Sequence, residues 1–317
     1  MDMDDKITIS AYEFFKKFPD ELSARHYLEQ QRWNNIPACP HCKDAARIQT
    51  LKNKFDGYYR CLTCKETFTV RTGTIMERSH IPLTKWLYAM YLITTSRKGV
   101  SSLQLSKELG ITQKSSWFLM HRIREACGDH TGYDVSVLLK GIVEVDETFI
   151  GGKEANKHSN KKLKAGRGSV GKTAVMGLRE RGGKTRTIVL KGMTAKEFEK
   201  NINDNVESGA VVCTDEHMSY NGLAKLGYDH KTVYHSAKQF VDGMAYTNGI
   251  ESVWAVLKRM FYGIHHKFSV EHTQRYVNEC AFRFNEANCK VPTMERVDAL
   301  VGRGFGVRLT YKALTAH

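Results

Sequence analysis

Four cysteines constrain this chain more than any other residues. Cys39 and Cys42 form one C-x-x-C pair, and eighteen residues later Cys61 and Cys64 form a second. A two-residue gap lets both thiolates of a pair approach one ion from a tight knuckle, and four thiolates at about 2.3 Å close a tetrahedral zinc site. The β-prone runs Tyr58-Tyr59-Arg60 and Thr67-Phe68-Thr69-Val70, with a turn near Asp56-Gly57, place a hairpin around these ligands. A zinc ribbon over residues 36–75 is therefore expected, with Cys39, Cys42, Cys61 and Cys64 as zinc ligands. A thioredoxin-like redox centre needs one C-x-x-C beside a βαβ unit, not two at this spacing. A unit this small depends on its metal for folding, and a closed four-sulfur site is structural rather than catalytic. Cys127, Cys213, Cys280 and Cys289 fit no ligand spacing and read as buried apolar fillers.

The ribbon is flanked by helical sequence. Over residues 1–35 the apolar positions Phe14, Phe15, Phe18, Leu22, Tyr27 and Leu28 recur at helical spacing, with a break at Pro19. Residues 83–127, within a domain predicted over 80–130, read as three helices with a helix-turn-helix cadence. Leu103, Leu105 and Leu109 supply a buried side, Gly110 ends that helix, and Thr112 caps the next. The last helix sets an apolar stripe of Trp117, Phe118, Met120 and Ile123 beside Gln113, Lys114, Arg122 and Arg124. Polar and basic side chains on a helix after a tight turn suit the DNA major groove, and these four are the expected DNA contacts. An ordinary helical linker with a solvated basic face is the competing reading.

Charge points the same way. Lys and Arg number 48 against 34 Asp and Glu, a formal net charge of +14 in 317 residues. Such a surplus favours a polyanionic partner, because each phosphate neutralised releases bound counterions. The start, Met1 to Lys6, is acidic without an apolar core, and the run Trp86 to Ile93 is far too short to span a bilayer. A cytoplasmic protein with no membrane partner is expected.

Residues 138–295 alternate strands and helices and carry the chemistry. Lys140 to Ile150 reads as a strand with Val143, Val145 and Phe149 on one face and Glu144, Asp146 and Thr148 on the other. A basic loop from Gly151 to Lys172 holds seven Lys or Arg and is expected to be mobile. A hairpin follows, 173–178 and 184–190 turning at Gly182-Gly183, then a helix over 195–206. A further strand, Ala210 to Thr214, runs straight into Asp215. From Asn248 to Arg259, Ile250, Val253, Trp254 and Leu257 form a core stripe, while Asn248, Glu251 and Lys258 share another face. Glu144 or Glu147 could replace Asp146 as a ligand, Asp215 could merely cap the next helix, and Asn248 with Glu251 also fits a capping box. A C-terminal tail is expected over 296–317.

A strand bearing Asp146, a hairpin, a helix, a strand ending at Asp215 and a helix bearing Glu251 follow the order of an RNase H-like core. Thirty-five residues separate Asp215 from Glu251, and Lys258 stands seven beyond it. With Tyr246 to Arg259, Tyr262-Gly263-Ile264-His265-His266 and Arg283-Phe284-Asn285, the chain resembles bacterial insertion-sequence DDE transposases with an N-terminal zinc ribbon. The resemblance spans about residues 10–290.

It implies an α/β core with a mixed five-stranded sheet, and two-metal phosphodiester chemistry on double-stranded DNA, both transposon ends and target. Asp146, Asp215 and Glu251 would hold two Mg²⁺ or Mn²⁺ ions, with Asn248 the alternative third ligand, and Lys258 and Arg259 would contact DNA. Holding two ends together implies a homodimer or larger assembly. Two rivals share these features: a zinc-ribbon DNA-binding regulator without catalysis, and an RNase H-like resolvase without strand transfer.

Overall fold

The computed structural model describes residues 7–51, 56–128, 137–152, 154–163, 169–233 and 246–316. It divides into two compact units: Met1–Tyr133 with Glu286–His317, and Asp134–Asn285.

The first unit opens with helix α1 (Ala11–Lys17) and helix α2 (Glu21–Trp33). Each begins in a capping box, Ser10 with Glu13 and Asp20 with Ser23, so Pro19 falls between two self-terminated helices. The ribbon is a three-stranded antiparallel sheet of β1 (Ile48–Thr50), β2 (Tyr59–Cys61) and β3 (Thr67–Phe68). Its small core joins Cys39, Cys61 and Phe68 to Trp33, Ile48 and Tyr59. The last turn of α2 thus belongs to the ribbon.

Helices α3 (Leu83–Thr95), α4 (Ser102–Leu109) and α5 (Gln113–Ala126) follow. Gly110 ends α4 at φ +58°, a left-handed conformation that glycine adopts without a Cβ penalty, and the Thr112 side chain accepts the Ser115 amide to start α5. Leu105 and Leu109 are buried as expected, but Leu103 is exposed, because the inward face of α4 runs 105, 106 and 109.

The second unit is built on β4 (Ile142–Ile150), β5 (Thr173–Glu180), β6 (Thr185–Val189), helix α6 (Ala195–Asn203), β7 (Val211–Thr214), β8 (Asp229–Thr232), α7 (Asn248–Met260) and α8 (Thr273–Asn285). Sheet order is β6-β5-β4-β7-β8; β5 runs antiparallel to both β6 and β4, and β7 and β8 run parallel to their neighbours. This mixed five-stranded sheet with flanking helices is an RNase H-like fold. Strand β8 escapes sequence reading because Asp-His-Lys-Thr offers no apolar alternation, as an edge strand can.

Each face of the sheet has its own core. Val143 and Val145 join Phe198 and Ile202 of α6 on one face. Ile150 and Val175 join Ile250, Val253, Trp254 and Leu257 of α7 and Val277 and Cys280 of α8 on the other. The polar face of β4 is therefore covered by a helix rather than by water, and Glu144 and Thr148 are buried. In the basic loop, short 3-10 turns occupy Glu154–Asn156 and Ser159–Lys161, while residues 153 and 164–168 lie outside the described residues, so its expected mobility is not addressed.

The chain closes with α9 (Thr293–Arg303) and α10 (Tyr311–Thr315). The expected domain end at 295 and tail over 296–317 differ from the structure. The second unit stops at Asn285, and α9 buries Val297, Leu300 and Val301 while packing on α2, α3 and α5 of the first unit. The sequence reading passed over the helical spacing of those three apolar residues.

Candidate active site and cysteine centre

The four cysteine sulfurs all lie within 4.8 Å of one another. Cys39 to Cys64 is 3.6 Å and Cys42 to Cys61 is 3.5 Å. Zinc–sulfur bonds of about 2.3 Å in a tetrahedron require sulfur–sulfur edges of about 3.8 Å, so the spacing fits one such ion. The knuckles match: Lys43 and Lys65, each directly after the second cysteine of its pair, both take φ +65°. The amide of Cys39 reaches Asp44 and that of Cys61 reaches Glu66. Backbone N–H groups of Cys64 and Thr63 pull the Cys61 thiol down to about 7. Of the other cysteines, Cys127, Cys213 and Cys280 are buried as expected, but Cys289 is exposed.

The carboxylates lie at the centre of the larger sheet. Strands β4 and β7 pair in parallel with Glu144 opposite Cys213; Asp146 lies two residues beyond on β4 and Asp215 directly follows the end of β7, close enough for its charge to act on Asp146. Asp146 points to the α7 side, where the Trp254 indole Nε1 donates to its Oδ2 at 2.8 Å. Burial, then the charge of Glu147 and, less strongly, that of Asp215, push the Asp146 carboxyl up to about 7 against the stabilising indole bond. The Asp215 Oδ1 accepts the His217 amide at 3.0 Å, but His217, not Asp215, caps the short 3-10 helix that follows, Met218–Tyr220.

Glu147 faces the opposite side of the sheet. Its Oε2 accepts the Tyr220 hydroxyl at 2.7 Å. Burial raises its pKa, with the charge of Asp215 adding to the effect. Glu144 is not a ligand candidate here. It is 1% exposed, pairs with Arg181 Nε at 2.9 Å and accepts the Ile250 amide at 2.9 Å. These acceptor contacts tie the first turn of α7 to β4. Arg179 adds bonds to the Gly249 carbonyl and the Ser252 hydroxyl.

Glu251 sits in that first turn, exposed, with the Thr247 hydroxyl donating to its Oε1 at 3.1 Å. Thr247, not Asn248, occupies the cap position, so the N-x-x-E capping box is not formed; Asn248 is the first helical residue and is exposed. Among the described residues the cysteines are the only group of three or more possible ligands whose atoms lie within 4.8 Å of one another. Asp146, Asp215 and Glu251 therefore do not close around one point. Two ions about 3.5–4 Å apart ask for a different arrangement, a shared central carboxylate with the outer two set wider. All the donors are oxygens, suited to Mg²⁺ or Mn²⁺, and a divalent cation would offset the burial and neighbouring negative charge that raise Asp146.

The expected nucleic-acid contacts separate into two groups. Gln113 and Lys114 are exposed at the start of α5, and Lys258 and Arg259 are exposed on α7. Arg122 and Arg124 are 4% and 1% exposed, contrary to their expected role. Arg122 lies over the rings of Trp86 and Phe118, donates to the Glu77 carbonyl at 2.6 Å, and is pushed down to about 10 by burial. From Leu119 to Arg124 helix α5 is buried all round, as a central helix must be. What sequence reasoning missed is the pairing of Trp254 with Asp146: the stripe marks Trp254 as core, and its N–H has no signature.

Residues 138–285 match the ISXO2-like transposase domain and residues 19–67 the transposase zinc-ribbon domain. A protein of Halobacterium salinarum described as an uncharacterized protein in transposable element ISH50 is 27% identical over 296 residues, covering 90% of this chain and 97% of its own length. An uncharacterized transposase-like protein of Haemophilus influenzae is 31% identical over 110 residues, 34% of this chain and 85% of its own. Among solved structures, the Mos1 strand transfer complex matches 63% of this chain and 76% of its own at 14% identity and a TM-score of 0.22. The Mos1 paired-end complex with left transposon end matches 63% and 77% at 15% and 0.23. The ISXO2-like transposase domain, the transposase zinc-ribbon domain and the 31% identity to the transposase-like relative agree: the chain belongs to the insertion-sequence DDE transposases with an N-terminal zinc ribbon.

Proposed function

We propose that this transposase binds the terminal inverted repeats of an insertion sequence, cleaves DNA at their ends and joins the freed 3′-hydroxyl to target DNA. The observation that carries the reading is the closeness of Asp146 on β4 to Asp215 just after the parallel strand β7, with α7, the helix bearing Glu251, tied to β4. Asp146, Asp215 and Glu251 would hold the two ions, with Asp146 shared between them; Asn248 remains the alternative to Glu251. Two bound Mg²⁺ or Mn²⁺ ions supply stabilisation of the attacking and leaving oxygens in an in-line displacement. Lys258 and Arg259, exposed beyond Glu251 on α7, hold DNA phosphates, Lys258 as a point charge.

Cys39, Cys42, Cys61 and Cys64 hold a structural zinc. Residues 80–130 serve as the DNA-binding domain, reading through Gln113 and Lys114; the buried Arg122 and Arg124 take no part. The active species is a homodimer or larger assembly on DNA, working at the nucleoid in the cytoplasm. No helix among the described residues is long and apolar enough to cross a membrane.

The test is incubation of the zinc-loaded protein with Mg²⁺, supercoiled plasmid and oligonucleotides carrying the insertion-sequence ends. Joined products are expected. Nicks without joining would replace the reading with a resolvase-like nuclease, and binding without cutting with a regulator.

A further inference from the structure

On β4 the residue opposite Asp146 in the antiparallel ladder with β5 is Gly177. It is buried, and its φ is not in the left-handed range, so backbone conformation does not call for glycine. Space does: a Cβ there would lie 2.6 Å from the Cζ2 and Cη2 atoms of the Trp254 ring and from the Ile250 Cδ1. The indole therefore lies across a bare stretch of β5, and from that seat its Nε1 reaches the Asp146 Oδ2 at 2.8 Å. Trp254 is 4% exposed, so water does not compete for that bond. One turn earlier on α7, the Ile250 amide donates to Glu144, the residue two before Asp146 on the same face of the strand. Gly249 is equally tight, since a Cβ there would meet the Glu144 carboxylate at 2.5 Å.

We propose that Trp254 is a positioning residue for the metal site: its indole N–H, admitted by Gly177, fixes the Asp146 carboxylate in one orientation relative to the helix carrying Glu251. The inference rests on the metal-binding reading of Asp146. A carboxylate shared between two ions must present its oxygens in fixed directions, and a free Asp side chain turns about two bonds. An N–H on one oxygen removes that freedom without contributing charge, and leaves further lone pairs on both oxygens. Hydrogen-bond partners that orient ligands in this way are worth about 10–100-fold in metal affinity. The donor and Glu251 stand three residues apart on one helix, so the same packing sets both ligands at once.

The experiment measures Mn²⁺ binding to the zinc-loaded full chain by electron paramagnetic resonance, without DNA. Asp146→Asn identifies the Mn²⁺ bound at this site; if that variant binds as the parent does, the metal-site reading fails, whatever Trp254 does. Given that control, Trp254→Phe keeps an aromatic ring and removes the donor, and about tenfold weaker Mn²⁺ binding with a retained melting transition is expected. Gly177→Ala keeps the donor and removes its seat, and should weaken binding in the same direction. Unchanged Mn²⁺ affinity in folded Trp254→Phe overturns the proposal. Should that variant melt early, replacing Trp254 by benzothienylalanine, which keeps the ring area but lacks the N–H, decides by the same measurement.

Discussion

The cysteine centre and the carboxylate centre are assembled in opposite ways. Four thiols come from 26 consecutive residues, Cys39 to Cys64, and meet within 4.8 Å through two copies of one knuckle. The three acids come from strands and a helix up to 105 positions apart, and their oxygens do not meet at one point. A structural ion can organise its own ligands, because folding and binding are one event. Carboxylates proposed to hold two ions would repel one another until the ions arrived, so the protein would have to hold them. That is the work of Glu144 against Ile250, of Trp254 against Asp146 and of Tyr220 against Glu147. Burial first, and the neighbouring negative charges after it, raise the Asp146 and Glu147 carboxyls above the usual carboxylate range.

If the carboxylate centre is the reactive one, its loss should dwarf every other change. Asp146→Asn is expected to lower strand cleavage by at least about a thousandfold, since metal-assisted charge stabilisation supplies several kcal/mol and each 1.36 kcal/mol is tenfold. Binding to end-bearing DNA, followed by gel shift, should stay within a few-fold. Residual joining at a tenth of the parent rate would move the site elsewhere. The third ligand sharpens the same picture. Glu251→Gln should cost about a hundredfold in cleavage and Asn248→Ala only a few-fold, because a hard divalent cation needs the charge; a reversed order would give the position to Asn248.

Legibility in the sequence follows the same division. The knuckles, the turn at Gly110, the cap at Thr112 and the strand that runs into Asp215 are local signals, and each lies where spacing and turn chemistry put it. Asp146 and Asp215 could be brought together only through the order of their strands; the parallel β4–β7 pairing ends two residues before them, and their charges act on one another. Interactions joining distant residues left no pattern. Nothing near Gly177 announces an indole, nothing near Glu144 announces Arg181, and polar β8 reads as loop. The burial of Arg122 and Arg124 was misread for a related reason: a helix buried all round can carry basic residues whose charged ends find carbonyls and rings instead of water.

Removing zinc sets the two centres directly against each other. Chelation, verified by metal analysis, should unfold the ribbon, since such sites contribute on the order of 10 kcal/mol to folding. End binding should then weaken by about tenfold or more, read by fluorescence anisotropy. Mn²⁺ binding at the carboxylates, which belong to the other compact unit, should be retained. Loss of both together would show that the centres are not independent.

The smallest effect concerns the two kinds of basic residue on α5. Lys114 is exposed and Arg122 is buried, so charge removal should act on different observables. Lys114→Ala removes one phosphate contact: affinity for end DNA falls a few-fold and the slope of log K against log salt drops by about 1. Arg122→Ala leaves the Glu77 carbonyl without its 2.6 Å partner and opens space between Trp86 and Phe118, costing roughly 2–3 kcal/mol of stability by lost packing and an unmet hydrogen bond. Below its melting transition, Arg122→Ala should bind DNA with the parent salt slope. A slope reduced by Arg122→Ala and unchanged by Lys114→Ala would reverse the assignment, turning α5 around so that its buried side meets DNA.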